Sequence, residues 1–310
     1  MDALFGHRGG GLVNAVLRKL AGEGEPDPDS ASPAERWSHP EDLVDRWTAA
    51  FGPERTEALM RWNNGIPDLG ACMGGGGEGL APGSWLQDYR ILPRTGSSPL
   101  ESLDGPFYLQ DEAAALVGRT CAGLAAGLDV LEIGAAPGGK THHLGETAVS
   151  VVSMDSSPGR MERWMGNFRR LGWTGCHPLV GDGTRPPLAC SFGMVLVDAP
   201  CTNTGVYRRR PDARWKWSAD YLEGMTVLQR ELLASASALV APGGYLVYST
   251  CSLEEEENQG QVRVFEECRD DFRRVPLDAP AELVTDGAIG IFPPEHGIDG
   301  LFAVAWRRVD

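Results

Sequence analysis

No stretch of this 310-residue chain approaches the roughly 20 consecutive apolar residues that a membrane-spanning helix needs, which argues against a membrane protein. The one early apolar run, residues 11–20, is broken by Asn14, Arg18 and Lys19 and is expected to form a short amphipathic helix. The sequence also lacks any Cys-x-x-Cys pair, and its seven cysteines are scattered and odd in number. That disfavours a disulfide or zinc framework and points to reduced thiols in a cytoplasmic protein. Basic residues are scarce, 28 Lys and Arg against 43 Asp and Glu, for a net charge of −15. Such a deficit excludes an indiscriminate polyanion binder, because phosphate contacts supply most non-specific nucleic-acid affinity. What the chain does have is 42% hydrophobic residues, enough for one large or two modest cores.

The few cations are clustered. Arg208, Arg209, Arg210, Arg214 and Lys216 fall in one segment, Arg160, Arg163, Arg169 and Arg170 in another, so a nucleic-acid site would be a local patch. Residues 21–35 are rich in Pro, Gly, Ser and acid without hydrophobic periodicity and read as a linker, making 1–35 a flexible extension. Leu43, Val44, Trp47 and Phe51, then Leu59, Met60 and Trp62, recur at helical spacing, with Pro53 placed for a first turn. Residues 36–109 are expected to be a small α+β domain of their own. From residue 110 to 310 strands alternate with helices, and this pattern predicts a doubly wound α/β sheet, Rossmann-like, with one antiparallel edge strand.

Within that half, Asp129-Val130-Leu131-Glu132-Ile133-Gly134 followed by Ala135-Ala136-Pro137-Gly138-Gly139-Lys140 is a strand, a turn of small residues and a helix start. Small residues let a ligand approach the backbone, and exposed amides at a helix start favour an anionic group. The spacing is neither the dinucleotide nor the phosphate-loop signature. Asp155 ends the next strand and Asp182 the third; two acids so placed suit a ribose and an adenine amine better than a polyphosphate. The order strand–Gly loop–helix, strand–Asp, strand–Asp, strand–Asp198 is the layout of an S-adenosylmethionine site. His142 and His143 are adjacent on a helix and point in different directions, which argues against a metal.

Two cysteines follow apparently buried strands, Cys201 after Asp198-Ala199-Pro200 and Cys251 after Tyr248-Ser249-Thr250, so both thiols are expected to open into one crevice at the carboxyl ends of the sheet. Ser252 and Glu255 stand in capping-box spacing, predicting a helix directly after Cys251 whose dipole would favour the thiolate.

These motifs resemble the RsmB/Nop/Sun family of RNA cytosine-C5 methyltransferases. The likeness is carried by the run 132–141, Asp155 with Arg160, Asp198-Ala199-Pro200-Cys201 with Thr204-Gly205-Val206, Tyr248-Ser249-Thr250-Cys251-Ser252 with Glu257-Asn258, and 296–302, and it covers residues 38–310. It implies transfer of a methyl group from S-adenosylmethionine to an RNA cytosine, with ribosomal RNA the favoured substrate, transfer RNA second, and the protein a monomer. By the same resemblance Cys251 is the nucleophile, Cys201 assists product release, and Asp198 orients the cytosine edge. Residues 134–140, Asp155, Arg160, Asp182 and Asp198 hold the cofactor, and Lys140 holds either the site's carboxylates or the cofactor. The segment carrying Arg208, Arg209, Arg210, Arg214 and Lys216 is the expected RNA contact. Glu132 and Gly134 stand where the first motif commonly has Asp and Cys, and Thr202-Asn203 where Ser-Gly is common. A non-catalytic RNA-binding or assembly factor retaining the fold is the alternative.

Overall fold

A computed structural model describes residues 2–23, 31–74, 77–93 and 107–309, for residues 2–9 and 23 the backbone only. Helix α1 (Asp2–Glu23) contains the expected early helix, with Leu12, Val16, Leu17 and Leu20 exposed. The linker expected over 21–35 is helical at both ends, in α1 and in α2 (Pro33–Arg36), while 24–30 lie outside the described residues. Helix α3 (Glu41–Phe51) buries Leu43, Val44 and Trp47 on one stripe and stops at Gly52, whose φ of +83° breaks the helical path. Pro53 then opens α4 (Pro53–Asn63). Strands β1 (Leu69–Met73), β2 (Ala81–Pro82), β3 (Tyr89–Leu92) and β4 (Phe107–Leu109) form a small antiparallel sheet in the order β2-β3-β1-β4. Of 36–109, the helices share a core with later parts of the chain: Leu43, Val44, Trp47, Leu59 and Met60 pack with Tyr207 and Phe292.

The remaining elements are α5 (Glu112–Ala125), β5 (Asp129–Ile133), α6 (Gly139–Leu144), β6 (Ser150–Asp155), α7 (Pro158–Leu171), β7 (Cys176–Val180), β8 (Phe192–Asp198), α8 (Ala219–Ala238), β9 (Val240–Thr250), α9 (Gln259–Cys268), β10 (Phe272–Val275), β11 (Val284–Thr285), β12 (Ala288–Ile291), α10 (Pro293–His296) and β13 (Leu301–Arg308). They build a nine-stranded sheet in the order β11-β12-β13-β9-β8-β5-β6-β7, with β10 on β13. Strands β9, β8, β5, β6 and β7 are parallel. Alternate residues serve opposite faces: Val130, Met194, Leu196, Val247, Ala303 and Ala305 join one core with Leu116, Val117 and Trp164, while Leu131, Val195, Val197, Leu246, Val304 and Trp306 join the other with Leu232, Leu233 and Phe265. Each fully buried aliphatic side chain contributes roughly 1.5–3 kcal/mol.

Two features depart from expectation. Strand β13 is antiparallel but not at the edge: it lies between β9 and both β12 and β10. Its burial on both faces, fully apolar from Leu301 to Trp306, requires covered edges. The helix expected directly after Cys251 begins only at Gln259, after a short 3-10 turn over residues 255–257, so no helix dipole bears on that thiol. Chain order reverses between β5 and β8, and a crevice at the carboxyl ends of parallel strands there is where such sheets bind ligands.

Candidate active site

A cavity of about 450 Å³ opens at that switch point. Strand β5 enters it through Gly134, which has φ of +81°; a Cβ there would sit 2.2 Å from the Asp198 carbonyl oxygen, so only glycine lets the β5 and β8 ends approach this closely. The amides of Gly134 and Ala135 donate to the Met154 carbonyl at 2.9 and 3.1 Å, fixing the loop onto β6. Asp155, at the end of β6, is buried. Its Oδ1 accepts from the Ser157 amide at 2.8 Å and pairs with Arg160 at 2.9 Å, and its Oδ2 faces the Ala136 amide at 3.4 Å. Asp182 accepts from the Thr184 amide and hydroxyl, both at 2.9 Å, and these bonds lower its pKa. Gly134, Ala136, Pro137, Lys140, Asp155, Arg160, Asp182 and Asp198 line the cavity, whereas Ala135, Gly138 and Gly139 shape the loop from behind. Two carboxylates on neighbouring strand ends beside the apolar side chains of Ile133, Met154 and Leu232 fit a nucleoside with hydroxyls and an exocyclic amine.

The two thiols share this cavity. Strands β8 and β9 are paired in parallel with Asp198 opposite Ser249, so the residues three and two positions further on emerge side by side. The Cys201 and Cys251 sulfurs are 3.3 Å apart, Cys201 buried and Cys251 half-buried. Hydrogen bonding to Cys251 and burial push the Cys201 thiol well above its ordinary pKa, so it remains protonated. The Lys140 Nζ is 2.7 Å from Asp198 Oδ2, while Ser249 Oγ donates to Oδ1 at 2.9 Å. Burial works against the ammonium, but Asp198 more than offsets it and Lys140 stays charged. Glu132, beneath the loop and bonded by Thr141 and Ser153, is raised to about 7, chiefly by burial.

One residue given no role from the sequence organises both cysteine loops. Glu257 is fully buried; its carboxylate accepts from the Thr202 amide at 2.9 Å, the Thr202 and Ser252 hydroxyls, and Gln229 Nε2 at 2.9 Å. Thr202 and Ser252 each follow a cysteine, and that repeated Cys-hydroxyl pair was the available signal. Asn203 has φ of +62°, a conformation Asn tolerates, and bridges the pair: its Nδ2 donates to the Cys201 carbonyl at 2.7 Å and its Oδ1 accepts from the Cys251 thiol at 3.3 Å.

The basic cluster divides. Arg209 is clamped between Asp299 at 2.6 Å and Asp111 at 2.7 Å and also bonds the Asp68 carbonyl at 2.8 Å. Arg214 is buried, its guanidinium bonding the Ser38 and Asn63 carbonyls at 3.1 and 3.0 Å and Asn64 Oδ1 at 2.8 Å. Arg208 stacks over Trp62 at 4.2 Å and bonds the Ile66 carbonyl. A run of charges does not reveal direction, and carbonyls and carboxylates from distant parts of the chain hold these three. Arg210 and Lys216 remain exposed, with Arg210 bordering the cavity. His142 stacks on Tyr108 and Trp173, and among the described residues no cluster suited to a metal ion forms.

Sheet order, glycine loop, strand-end acids and cavity together define a class I, S-adenosylmethionine-dependent methyltransferase. A methyltransferase homologue from Pyrococcus horikoshii shares the fold at a TM-score of 0.75 and 23% identity, over 92% of this chain and 100% of that one. Residues 125–307 match the family described as 16S rRNA methyltransferase RsmB/F. The chain is 34% identical to the ribosomal RNA small subunit methyltransferase B of Thermus thermophilus, over 97% of this chain and 71% of that protein. It is 31% identical to the probable ribosomal RNA small subunit methyltransferase B of Bacillus subtilis, over 98% and 75% respectively. The chain therefore belongs to the RsmB/F methyltransferase family.

Proposed function

We propose that the protein methylates carbon 5 of a cytosine in RNA, ribosomal RNA of the small subunit first, in the cytoplasm and as a monomer. The observation that carries this reading is the 3.3 Å pair of thiols in the cavity that also holds Asp155 and Asp182. An S-adenosylmethionine bound there supplies an electrophilic methyl group. Asp155 and Asp182 would hold its ribose and base, and the 134–138 backbone would give it room. Cys251, the more accessible thiol, loses its proton and bonds to carbon 6 of the cytosine, while Asp198, held by Lys140 and Ser249, accepts from the cytosine amino group. Carbon 5 takes the methyl group, with S-adenosylhomocysteine as the leaving group, and loses its proton to solvent. The Cys251–carbon 6 bond then breaks, and the departing thiolate is met by the S–H of Cys201. Glu257 keeps both loops in register throughout. Arg210 and Lys216, both exposed, are read as contacts for RNA phosphates, and 36–109 as an RNA-contacting part.

Bisulfite sequencing of ribosomal and transfer RNA from cells with and without the gene tests substrate and chemistry together. A cytosine that is protected only in the presence of the gene, and unprotected when Cys251→Ala replaces it, is the expected result. Full conversion at every position in both strains would remove the cytosine-C5 assignment. A protected site in transfer RNA alone would move the substrate.

A further inference from the structure

The segment from Arg210 to Tyr221 leaves the cavity and returns to it, since both end residues line its wall. Between them the chain is pinned from beneath. Arg214 is held by its three hydrogen bonds, and Ala213 and Trp217 pack against the core formed by Trp47 and Tyr207. The short 3-10 turn over Ala213–Lys216 then holds Trp215 outward, 62% exposed. Among the described residues it is the only aromatic side chain in the set of exposed large apolar groups.

A tryptophan so placed normally gains by burying its large surface, and here a rigid support prevents it. Its flanks are cationic: Arg210 and Lys216 are exposed on the same segment. The acid nearest Lys216, Asp212 at 3.7 Å, is as open to solvent as the lysine, and such a pair holds it only weakly. No other residue of 206–221 is an exposed large apolar group, so this is a single flat ring among charges, not the apolar centre of a protein interface. One exposed ring on a segment that also carries two exposed cations matches one base and its adjoining phosphates.

We propose that Trp215 is a stacking platform for an unpaired RNA base next to the cytosine that enters the cavity, with Arg210 and Lys216 contacting the phosphates on either side. The inference rests on the RNA reading above and deepens it. It requires the substrate to be presented single-stranded, because a base inside a duplex offers no free face.

The test uses a fluorescein-labelled 12-nucleotide single-stranded RNA with a central cytosine, and the same RNA annealed to its complement, in anisotropy titrations. Trp215→Ala should bind the single strand about tenfold more weakly than the wild type, in line with base–aromatic stacking. Trp215→Phe should stay within about threefold, and both should bind the duplex as the wild type does. Calorimetry with S-adenosylhomocysteine should give the same affinity for all three proteins, establishing that the site is folded. Unchanged single-strand affinity in Trp215→Ala would overturn the platform while leaving the RNA reading intact. So would an equal loss on the duplex, or a loss in Trp215→Phe as large as in Trp215→Ala. A wild-type protein that binds neither RNA would take down the RNA reading and this inference with it.

Discussion

At the residue scale the two cysteines differ in one respect on which the proposed division of roles rests. Cys201 is buried and held protonated by its neighbour, while Cys251 reaches the cavity half-exposed. If Cys201 serves only the departure of Cys251, then Cys201→Ala should still attack RNA and methylate it but fail to let go. A protein–RNA species that survives denaturing electrophoresis should accumulate in that variant and vanish when Cys251→Ala is added, the non-additive pattern of two groups acting on one intermediate. Normal turnover by Cys201→Ala would reassign both thiols. Asp155 offers a separable case. Its carboxylate is buried and fixed by Ser157 and Arg160, so Asp155→Ala removes the proposed ribose contact and strands the Ala136 amide. Cofactor affinity, measured by calorimetry, should fall by about 1–3 kcal/mol; equal affinity would exclude this residue from the site.

Elements place these residues, and Gly134 is where three of them meet. The ends of β5 and β8 and the first turn before α6 converge on a backbone position that admits no Cβ, with the Asp198 carbonyl 2.2 Å from where it would stand. Gly134→Ala should therefore push β8 aside, displacing Asp198 and with it the Lys140 pairing. We expect loss of cofactor binding together with a lower melting temperature, read by calorimetry and circular dichroism. Retention of both would show the loop can yield. Much of this was legible in the sequence, because parallel strands buried on both faces leave continuous apolar runs such as 194–197 and 245–248, and small residues mark the turn. The start of α9 was not legible. Ser252 and Glu255 have the spacing of a capping box, but the Ser252 hydroxyl accepts from the Glu254 amide at 3.0 Å, not from Glu255, while it donates to Glu257, and so closes a local turn. The inward turn of Arg209 and Arg214 was equally hidden, since their partners Asp299, Asp111, Asn63 and Asn64 come from distant parts of the chain. Sequence spacing exposes local periodicity, and these contacts are long-range.

For the whole molecule, buried titratable groups set how stability follows pH, and they pull in opposite directions. His39 and His142 are lowered to about 4, in both cases mainly by burial. Below 6.5 the unfolded chain takes up protons that the folded chain refuses until about 4, so acidification through that window destabilises the fold. Glu132 behaves inversely. Its pKa is raised from 4.5 to about 7, so between those values the unfolded chain has released a proton that the folded chain still holds. Its contribution is therefore most favourable below about 4.5, declines as pH rises, and reaches its full cost above about 7, on the order of 3 kcal/mol at 1.36 kcal/mol per unit. Replacing this carboxyl with an amide of the same shape removes that linkage. Thr141 and Ser153 both donate to the same carboxylate oxygen, and a Gln carbonyl in its place can accept from both. Glu132→Gln should consequently melt several degrees above the wild type at pH 8, with the difference shrinking towards pH 4.5. Thermal unfolding followed across that range decides the matter: a variant that is less stable at pH 8 than at pH 4.5, relative to the wild type, would mean that folding favours the ionised form of Glu132 and does not raise its pKa.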